Sequence, residues 1–368
     1  MLDMKDRKLA ITHDHLFQIG GAERVLLEFH KIYPKSPIYT LICNKRSREF
    51  LSGCDIRTSY IQKIPLSTKL FKLFLTLMPK AWESFDFSEY DVILSSASAF
   101  AKGIVKPKNA THFCYCHTPT RYLWSDMEEY VDGLRVPGFL RSILINILEN
   151  MKEWDYKKAQ EVDYFIANSK FIAQRIKKYY NKESHVIYPP VDVENFYSDT
   201  KENYYILVSR LRPYKKIDLA IQAFNQLKLP LKIIGGGDIN YYKSKAKNNI
   251  EFLGEIGDEE KFKYLSRAKA FIHPQEEDFG ISLVEALASG CPVIAYKKGG
   301  ALETMVDGKT GVFFEEQNWP SLAEAILDFN KMNFDHDFIK NHAQSFSKER
   351  FETEIANYIN EKLNENRN

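Results

Sequence analysis

Short runs of β-branched and aromatic residues recur along the chain, and helix-like amphipathic segments separate them. This alternation predicts an α/β fold in which helices cover parallel sheets. Strands are expected in two series, at 9–12, 38–43, 92–95, 111–116, 164–167 and 186–188, and then at 205–209, 231–234, 250–253, 270–273, 293–295 and 312–314. A charged amphipathic helix is expected at about 347–363.

The break between the two series falls at Tyr188-Pro189-Pro190, which indicates two doubly wound, Rossmann-like domains joined by a proline-containing linker. We expect an N-terminal domain at 1–190, a C-terminal domain at 191–345 and a helix at 346–368 that packs back on the N-terminal domain. Ligands of such sheets bind at the carboxyl ends of the strands, so the two domains are expected to face each other across a cleft.

The composition is that of a packed protein, with 44% hydrophobic and 27% charged residues, and it excludes a disordered chain. The formal net charge of +2 excludes a nucleic-acid binder built on a large basic surface. Residues 1–195 hold 28 Lys and Arg against 23 Asp and Glu, whereas residues 196–368 hold 23 against 26. Eleven of the 17 glycines lie between Gly235 and Gly311, so the acidic half carries most of the glycine turns.

The five scattered cysteines fit reduced cytosolic thiols better than a disulfide framework. Cys114 and Cys116 should point to one face of a strand, and without further ligands nearby we expect no zinc site. Residues 1–8 lack the apolar stretch of a signal peptide. No apolar run approaches the ~18–20 residues that span a bilayer, so we expect a cytoplasmic protein that does not cross the membrane.

The first candidate site is Gly20-Gly21, which lies between the first strand and a helix whose apolar face includes Val25, Leu26 and Phe29. Adjacent glycines let backbone N–H groups approach a ligand, and a helix N-terminus favours an anion. The same pair also fits a tight strand-to-helix turn, and the sequence leaves both interpretations open.

The second candidate is the segment from Ser209 to Lys216, where a strand ends near Arg210 and a helix is expected to begin near Lys215. A guanidinium and an ammonium at one strand end suit a diphosphate. Four basic residues in one loop also fit an ordinary solvated surface.

The third candidate is the segment 272–292, in which Glu277 follows a strand and Phe279-Gly280 opens a helix. That helix should stop at Gly290, the usual residue after a helix end. Glu285 stands among apolar helix residues and therefore needs a hydroxyl or cationic partner if it is buried. Both glutamates also fit exposed positions.

Together, these stretches resemble the family 4 retaining glycosyltransferases, which have the two-domain GT-B fold and transfer a sugar from a nucleotide-sugar donor. The resemblance covers nearly the whole chain and includes the seven-residue separation between Glu277 and Glu285. It continues through Gly299-Gly300-Ala301-Leu302-Glu303-Thr304 and Asp307-Gly308-Lys309-Thr310-Gly311. Within the family, residues 111–122 and 276–280 are similar to bacterial mannosyltransferases of surface-polysaccharide assembly, including O-antigen assembly.

The resemblance implies a role for each candidate residue. Arg210 and Lys215 would hold the donor diphosphate, with the adjacent Lys216 as an alternative cation. Glu277 would bind hydroxyls of the transferred sugar, and Glu285 would accept hydrogen bonds from the ribose. Further donor contacts would come from Gly20, Gly21, Ser209, Phe279, Gly280 and Ile281. His117, which alone would suggest a structural histidine, would face the reacting sugar carbon.

The family mechanism implied is front-face substitution with retention, in which the departing phosphate helps to deprotonate the acceptor. A metal ion is not expected, because Arg210 and Lys215 supply the positive charge. Asp335-His336-Asp337 has D-x-D spacing but lies far downstream, and Asp337 is expected to be a helix N-cap. No cofactor is expected beyond the nucleotide-sugar substrate.

Residues 61–82 mix Lys63, Lys69, Lys72 and Lys80 with many leucines and phenylalanines, and residues 136–151 are similarly apolar around Arg141. A basic amphipathic helix in the acceptor-binding domain would lie on an anionic membrane surface, on the inner face of the cell membrane if the acceptor is lipid-linked. A core-facing helix with ordinary surface lysines explains the pattern equally well.

Three other functions remain as alternatives. A nicotinamide-dependent oxidoreductase would need a full G-x-G-x-x-G pattern, which the Gly20-Gly21 loop lacks. A GT-B sugar-nucleotide epimerase would release UDP without a sugar acceptor. A non-catalytic nucleotide-sugar sensor would not need all four of the charged residues Arg210, Lys215, Glu277 and Glu285. Among donors, GDP-mannose is preferred and UDP-sugars are the alternative.

Overall fold

The computed structural model describes residues 7–134 and 137–365, except for the side chain of Lys72. The chain divides into two compact units. The first comprises residues up to Tyr188 together with those from Phe351 onward, and the second runs from Pro189 to Arg350. Each unit is built around one parallel sheet, which confirms the predicted α/β class of two Rossmann-like sheets.

The described residues of the first unit form a seven-stranded parallel sheet with the order β3-β2-β1-β4-β5-β6-β7. Its strands are β1 (Leu9–His13), β2 (Ile38–Thr40), β3 (Ile56–Thr58), β4 (Val92–Ala97), β5 (Thr111–Cys116), β6 (Tyr164–Ala167) and β7 (Ser184–Val186). The helices are α1 (Gly21–Ile32), α2 (Lys45–Phe50), α3 (Met78–Glu83), α4 (Met127–Gly133), α5 (Gly138–Gln160) and α6 (Lys170–Tyr180). The chain order reverses between β1 and β4, where a doubly wound sheet places its ligands.

A buried carboxylate stabilises the core on one face of this sheet. Asp155 of α5 accepts hydrogen bonds from Lys102 Nζ, Thr120 Oγ1, Trp124 Nε1 and Tyr180 Oη at 2.5, 3.1, 2.9 and 2.8 Å. Neither Lys102 nor Asp155 is more than 2% exposed. Burial lowers the pKa of Lys102, but the Asp155 carboxylate outweighs it, and the pKa of Lys102 lies above its ordinary value. Both charges are therefore paired inside the core, which makes their burial tolerable.

The described part of the second unit forms a six-stranded parallel sheet with the order β10-β9-β8-β11-β12-β13. Its strands are β8 (Tyr205–Val208), β9 (Leu231–Ile234), β10 (Ile250–Gly254), β11 (Ala270–His273), β12 (Val293–Tyr296) and β13 (Gly311–Phe314). The helices are α7 (Ile217–Leu227), α8 (Ile239–Lys243), α9 (Asp258–Arg267), α10 (Ile281–Ala288), α11 (Ala301–Thr304), α12 (Trp319–Phe329) and α13 (His336–Ala343). The order reverses between β8 and β11.

The last helix, α14, runs from Lys348 to Glu365, close to the expected bounds. Phe351, Ile355, Ile359 and Leu363 recur along one face of α14 and are buried in the first unit. Phe351 packs 5.6 Å from the ring of Phe29 on α1. The spacing of these four residues is that of a single apolar helix stripe.

Three local predictions were wrong. Residues 61–82 do not form one amphipathic helix, because Leu66 after Pro65 is left-handed at φ 58° and the segment breaks into 3-10 turns (Tyr60–Lys63, Phe71–Leu77) followed by α3. The side chain of Lys72 and residue 136, both part of those predictions, lie outside the described residues. The short strand β3 was missed, and β7 lies at Ser184–Val186 rather than at 186–188.

Asp337 is not the N-cap of α13. The side chain of Asp335 caps this helix and accepts from the N–H groups of Asp337 and Phe338, both at 3.0 Å. Either aspartate fits a helix start in the sequence, and the backbone turn decides which one reaches the free N–H groups.

Candidate active site

The loop after β8 carries the predicted diphosphate cations and rests on three consecutive glycines. Ser209 N–H donates to Ile234 at 3.0 Å, and Leu211 N–H donates to Gly236 at 2.8 Å. Gly235 has φ 143°, and a Cβ there would lie 1.8 Å from the Ser209 carbonyl. Glycine is therefore required for the close approach of the two loops. Arg210 follows Ser209 with its side chain exposed, and one of its Nη atoms donates to Tyr214 Oη at 3.3 Å.

Lys215 and Lys216 are placed differently by this loop. Pro213–Lys215 forms a 3-10 turn, Lys216 is left-handed at φ 55°, and α7 begins at Ile217 rather than near Lys215. Lys215 is mostly buried, whereas Lys216 is exposed. The geometry therefore selects Lys215 as the lysine that points into the sheet edge.

The Lys215 ammonium donates to the carboxylate of Glu277, which lies in the loop after β11. Because β8 and β11 are neighbours at the reversal of the second sheet, their carboxyl-end loops meet there. Burial raises the pKa of Glu277, but the Lys215 ammonium outweighs it, so this pKa lies below its ordinary value. Glu277 is therefore an ionised acceptor at neutral pH, suited to hydroxyl donors.

The backbone around Glu277 is held by a second pair of glycines. Gly300 N–H donates to the Glu277 carbonyl at 2.8 Å. A Cβ at Gly299 would lie 2.4 Å from that carbonyl, and one at Gly300 would lie 2.4 Å from the backbone of Phe279. Because glycine has no Cβ, the backbone at Gly299 and Gly300 can pack directly against the backbone of the loop that carries Glu277 and Phe279.

Phe279, Gly280 and Ile281 form the start of α10, as predicted. Gly280 has φ 96° and Ile281 is the first helical residue, so the N–H groups of this turn lie two to four residues from Glu277. The helix ends at Ala288, with Gly290 left-handed at φ 59° just beyond it. A helix start beside an ionised carboxylate places hydrogen-bond donors and acceptors close together at this edge of the sheet.

Two polar residues beside Glu277, His273 and Gln275, were not identified as candidates from the sequence. Gln275 Nε2 donates to Glu277 Oε1 at 3.1 Å and lies 3.4 Å from Nδ1 of His273, the last residue of β11. Burial lowers the pKa of His273 to about 4, so its ring is neutral. The polar residues at 273, 275 and 277 alternate at the end of an apolar strand, and this alternation is the signal that would have identified them.

Glu285 has the cationic partner that its position required. Lys261 of α9 donates to both carboxylate oxygens of Glu285, at 3.1 and 3.2 Å. Glu285 is 9% exposed, so the pair is nearly buried. The carboxylate is therefore held in one orientation on α10 before any ligand arrives.

In the first unit, Gly20 precedes α1 and Gly21 begins it. Gly20 N–H donates to Glu23 Oε2 at 2.8 Å, which gives the turn interpretation a concrete basis. Burial raises the pKa of Glu23, but the adjacent His13 ring and backbone N–H groups outweigh it, and the pKa lies below its ordinary value. Glu23 is thus an ionised cap at the start of α1.

His117 directly follows β5. Its N–H donates to Ala97 at 2.8 Å, its carbonyl accepts from Asn168 Nδ2 at 2.9 Å, and its Nε2 lies 2.8 Å from Ser96 Oγ. Burial lowers the pKa of His117 to about 4, so the ring is neutral at pH 7. The position at a strand's carboxyl end agrees with a role in ligand contact.

Within residues 7–134 and 137–365, no three His, Cys, Asp or Glu side chains converge as a metal site requires. The five cysteines are free thiols, and Cys114 and Cys116 face the same core. In the same described ranges, no helix is long and apolar enough to cross a membrane.

Described residues of the first unit line at least two cavities. One of about 530 Å³ opens at the amino ends of the strands, beside Lys8 and Pro37, where this fold places no ligand. The other, of about 230 Å³, lies just after β1, and its walls are mainly apolar: Phe17, Leu41, Phe71, Leu75, Met78 and Phe100.

Three proteins illustrate the similarity, and two of them match this chain along most of its length. The alpha-1,3/1,6-mannosyltransferase ALG2 of Dictyostelium discoideum is 26% identical, with 90% of each chain covered. A GDP-Man:Man(3)GlcNAc(2)-PP-Dol alpha-1,2-mannosyltransferase of Xenopus tropicalis is 24% identical over 88% of this chain and 78% of its own. An uncharacterized glycosyltransferase of Methanocaldococcus jannaschii is 30% identical over 172 residues, and the match spans only about half of that protein, 49%.

The fold matches solved structures. The Anabaena protein HepE, crystallised with UDP and glucose, superposes with a TM-score of 0.70 at 18% identity over 96% of this chain and 99% of its own. At that identity the likeness concerns the fold.

Two family models match consecutive parts of the sequence. Residues 19–195 match Glycosyltransferase Family 4, and residues 191–345 match Glycosyl transferases group 1. The two matches together span residues 19–345, and the structure supplies the two parallel-sheet units. The chain therefore belongs to the family 4 glycosyltransferases of the GT-B fold.

Proposed function

We propose that this glycosyltransferase moves mannose from GDP-mannose onto a saccharide acceptor with retention of configuration and without a metal ion. The observation that carries the proposal is the Lys215–Glu277 pair at the carboxyl edge of the second sheet. It places a cation for a diphosphate beside an anion for sugar hydroxyls. The similarity to curated mannosyltransferases, one of which has GDP-Man in its name, supports the choice of donor.

In the proposed reaction, the bond between the sugar C1 and the diphosphate oxygen breaks, and the nucleoside diphosphate takes the electron pair. The acceptor hydroxyl forms the new bond on the same face, and its proton passes to the departing phosphate. Lys215 and Arg210 offset the charge that grows on the phosphate, which lowers the barrier because these cations are already in place. Glu277 orients the sugar through charge-assisted hydrogen bonds of about 1.5–3 kcal/mol each.

The donor assignment is tested by a thermal-shift screen of GDP-, UDP- and ADP-sugars, followed by acceptor-dependent nucleotide release. Selective stabilisation by GDP-mannose supports the proposal, and turnover with UDP-sugars alone contradicts the proposed donor.

NMR of the product tests whether the anomeric configuration is retained, since an inverted anomer would contradict retention. Activity that survives EDTA supports metal independence, whereas loss that Mn²⁺ restores contradicts it.

We further propose that the acceptor is a lipid-linked saccharide used in cell-surface polysaccharide synthesis. The 3-10 turn Phe71–Leu77 lines the apolar cavity with Phe71 and Leu75. The same turn exposes Leu73 by 74%, and Phe139 at the start of α5 is 71% exposed. These apolar side chains, with the exposed Lys63, Lys69 and Lys80, suit peripheral attachment to the inner face of an anionic membrane.

Liposome co-sedimentation tests the membrane step. Replacement of Lys63, Lys69 and Lys80 by Gln should weaken binding to vesicles that contain phosphatidylglycerol. A matched triple replacement of the exposed Lys228, Lys243 and Lys263 in the second unit should not. Equal binding by both variants would remove membrane attachment from the proposal and leave the transferase chemistry untouched.

A further inference from the structure

A buried row of polar side chains connects the glycine loop of the first unit to His117. Glu23 Oε1 lies 3.7 Å from His13 Nε2, His13 Nδ1 lies 3.0 Å from Ser96 Oγ, and Ser96 Oγ lies 2.8 Å from His117 Nε2. The other oxygen of Glu23 accepts from Gly20 N–H at 2.8 Å. The row therefore connects two residues of the predicted site, Gly20 at one end and His117 at the other.

The row lies where the first sheet reverses its order. His13 ends β1 and is in register with Ser96 of β4, and His117 follows the next strand, β5. His13 and Glu23 are each 3% exposed and Ser96 is fully buried. Burying these polar side chains costs free energy, whereas apolar side chains at the same positions would carry no such cost. A role in the site explains why they occupy the core at its ligand-binding edge.

The proton positions along the row follow from chemistry. A carboxylate only accepts, so the nitrogen of His13 that faces Glu23 carries a proton. A ring that carries only this one proton presents an unprotonated Nδ1 to Ser96, and that nitrogen is an acceptor. Ser96 must then donate to His13, and its oxygen accepts from Nε2–H of His117.

This chain of donors determines the tautomer of His117. With its proton on Nε2, the ring has an unprotonated Nδ1, and no described residue donates a hydrogen bond to that nitrogen. We propose that Glu23, His13 and Ser96 are positioning residues that hold His117 in this tautomer, so that Nδ1 accepts a hydrogen bond from a substrate hydroxyl. The proposal rests on the transferase function, and it adds three residues that act through His117.

The same sheet contains a matched control row. Thr12 Oγ1 donates to Ser95 Oγ at 2.8 Å, and Ser95 Oγ lies 2.6 Å from Nε2 of His112. This row uses the preceding residue of both β1 and β4, so it lies on the opposite face of the strands. Burial lowers the pKa of His112 to about 3, and this histidine belongs to the core rather than to the candidate site.

The tautomer is measured by long-range ¹H–¹⁵N NMR of the full chain labelled with ¹⁵N-histidine, with His117→Asn used to assign the signals. The wild type should show His117 protonated on Nε2 and unprotonated on Nδ1. Ser96→Ala and His13→Gln should populate both tautomers, Ser96→Thr should restore the wild-type pattern, and Ser95→Ala should leave His117 unchanged. A wild-type proton on Nδ1, or a tautomer unaffected by Ser96→Ala, would overturn the proposal.

Kinetics provide the second measurement. Ser96→Ala should lower kcat by about tenfold or more while the KM for the donor stays within about twofold, and Ser95→Ala should keep the wild-type kcat. Equal kcat values for the two variants would also overturn the proposal. The NMR result does not depend on activity, so absence of sugar transfer would contradict the transferase proposal alone.

Discussion

The ammonium of Lys215 is paired with the carboxylate of Glu277, 62 residues further along the chain. The two residues come from the loops after β8 and β11, the strands at which the second sheet reverses its order. The Lys215 ammonium keeps Glu277 ionised, since it helps to lower the pKa of that carboxyl below its ordinary value. A bound sugar diphosphate would replace this contact with one partner for each charge, a hydroxyl for Glu277 and a phosphate for Lys215.

Replacement of Lys215 tests that arrangement. Lys215→Ala should lower kcat/KM by a factor of about 10²–10³, because a fixed cation no longer meets the developing phosphate charge. Lys216→Ala should stay within about threefold of the wild type, since Lys216 is exposed in the left-handed turn before α7. Steady-state kinetics of the two variants would show the reverse ranking if Lys216 were the diphosphate ligand.

The Lys261–Glu285 pair should couple stability to donor binding. Lys261→Met leaves the nearly buried Glu285 without its cation, so it should lower the melting temperature and weaken nucleotide binding. Lys263→Met, on the exposed side of the same helix, is the control. A double-mutant cycle with Glu285→Gln, read by thermal unfolding and by nucleotide titration, should give a coupling energy of about 1 kcal/mol or more. Strictly additive effects would mean that the pair is incidental.

Asp155 is expected to be the most sensitive carboxylate of the first core. Asp155→Ala leaves Lys102 buried without a counter-charge and removes the acceptor of three further donors, which should cost about 3–5 kcal/mol of unfolding free energy. The exposed pair between Asp132 and Arg141 provides the comparison, and Asp132→Ala should cost less than about 1 kcal/mol. Chemical denaturation of both variants measures the difference, and a cost for Asp155→Ala as small as that of the control would refute the assignment.

Stability should fall on mild acidification. Burial lowers the pKa of His15, His117 and His273 to about 4, and that of His112 to about 3, from an ordinary value of 6.5. The unfolded chain therefore binds more protons than the folded chain below about pH 6.5, so the unfolding free energy decreases from there down to about pH 4. Urea midpoints at pH 7.5, 6.0, 5.0 and 4.5 should decline in that order below pH 6.5. A midpoint that is constant or rises across this interval would contradict the buried neutral histidines.

Much of the fold follows from local pattern, because buried parallel strands are continuous apolar runs. Four strands, among them β5 and β11, were predicted with their observed bounds. The strand β3 has only three residues, with one exposed arginine, and offers no apolar run to detect. The prediction of an amphipathic helix at 61–82 failed because Pro65 and Pro79 interrupt the segment. The periodicity of the apolar residues alone does not take these prolines into account.

The positions of the candidate residues in the fold were predictable where a family pattern marks them, and less so where their partners come from distant strands. The sequence required a partner for Glu285 but could not name Lys261, because helix packing decides which cation lies close. His13 and Ser96 stand in apolar strands with nothing local to mark them, and only the register of β1 with β4 brings them together. The different burial of Lys215 and Lys216 could not be predicted from the sequence, because it depends on the left-handed turn at Lys216.

The most direct test of the central claim is transfer of radiolabelled mannose from GDP-mannose to a lipid-linked saccharide acceptor by the purified chain, compared with Glu277→Gln. We predict acceptor-dependent label in the lipid fraction with equimolar GDP release, and a fall of at least about a hundredfold in the variant. Transfer from UDP-sugars only would contradict the proposed donor. Unchanged transfer by Glu277→Gln would contradict the site itself.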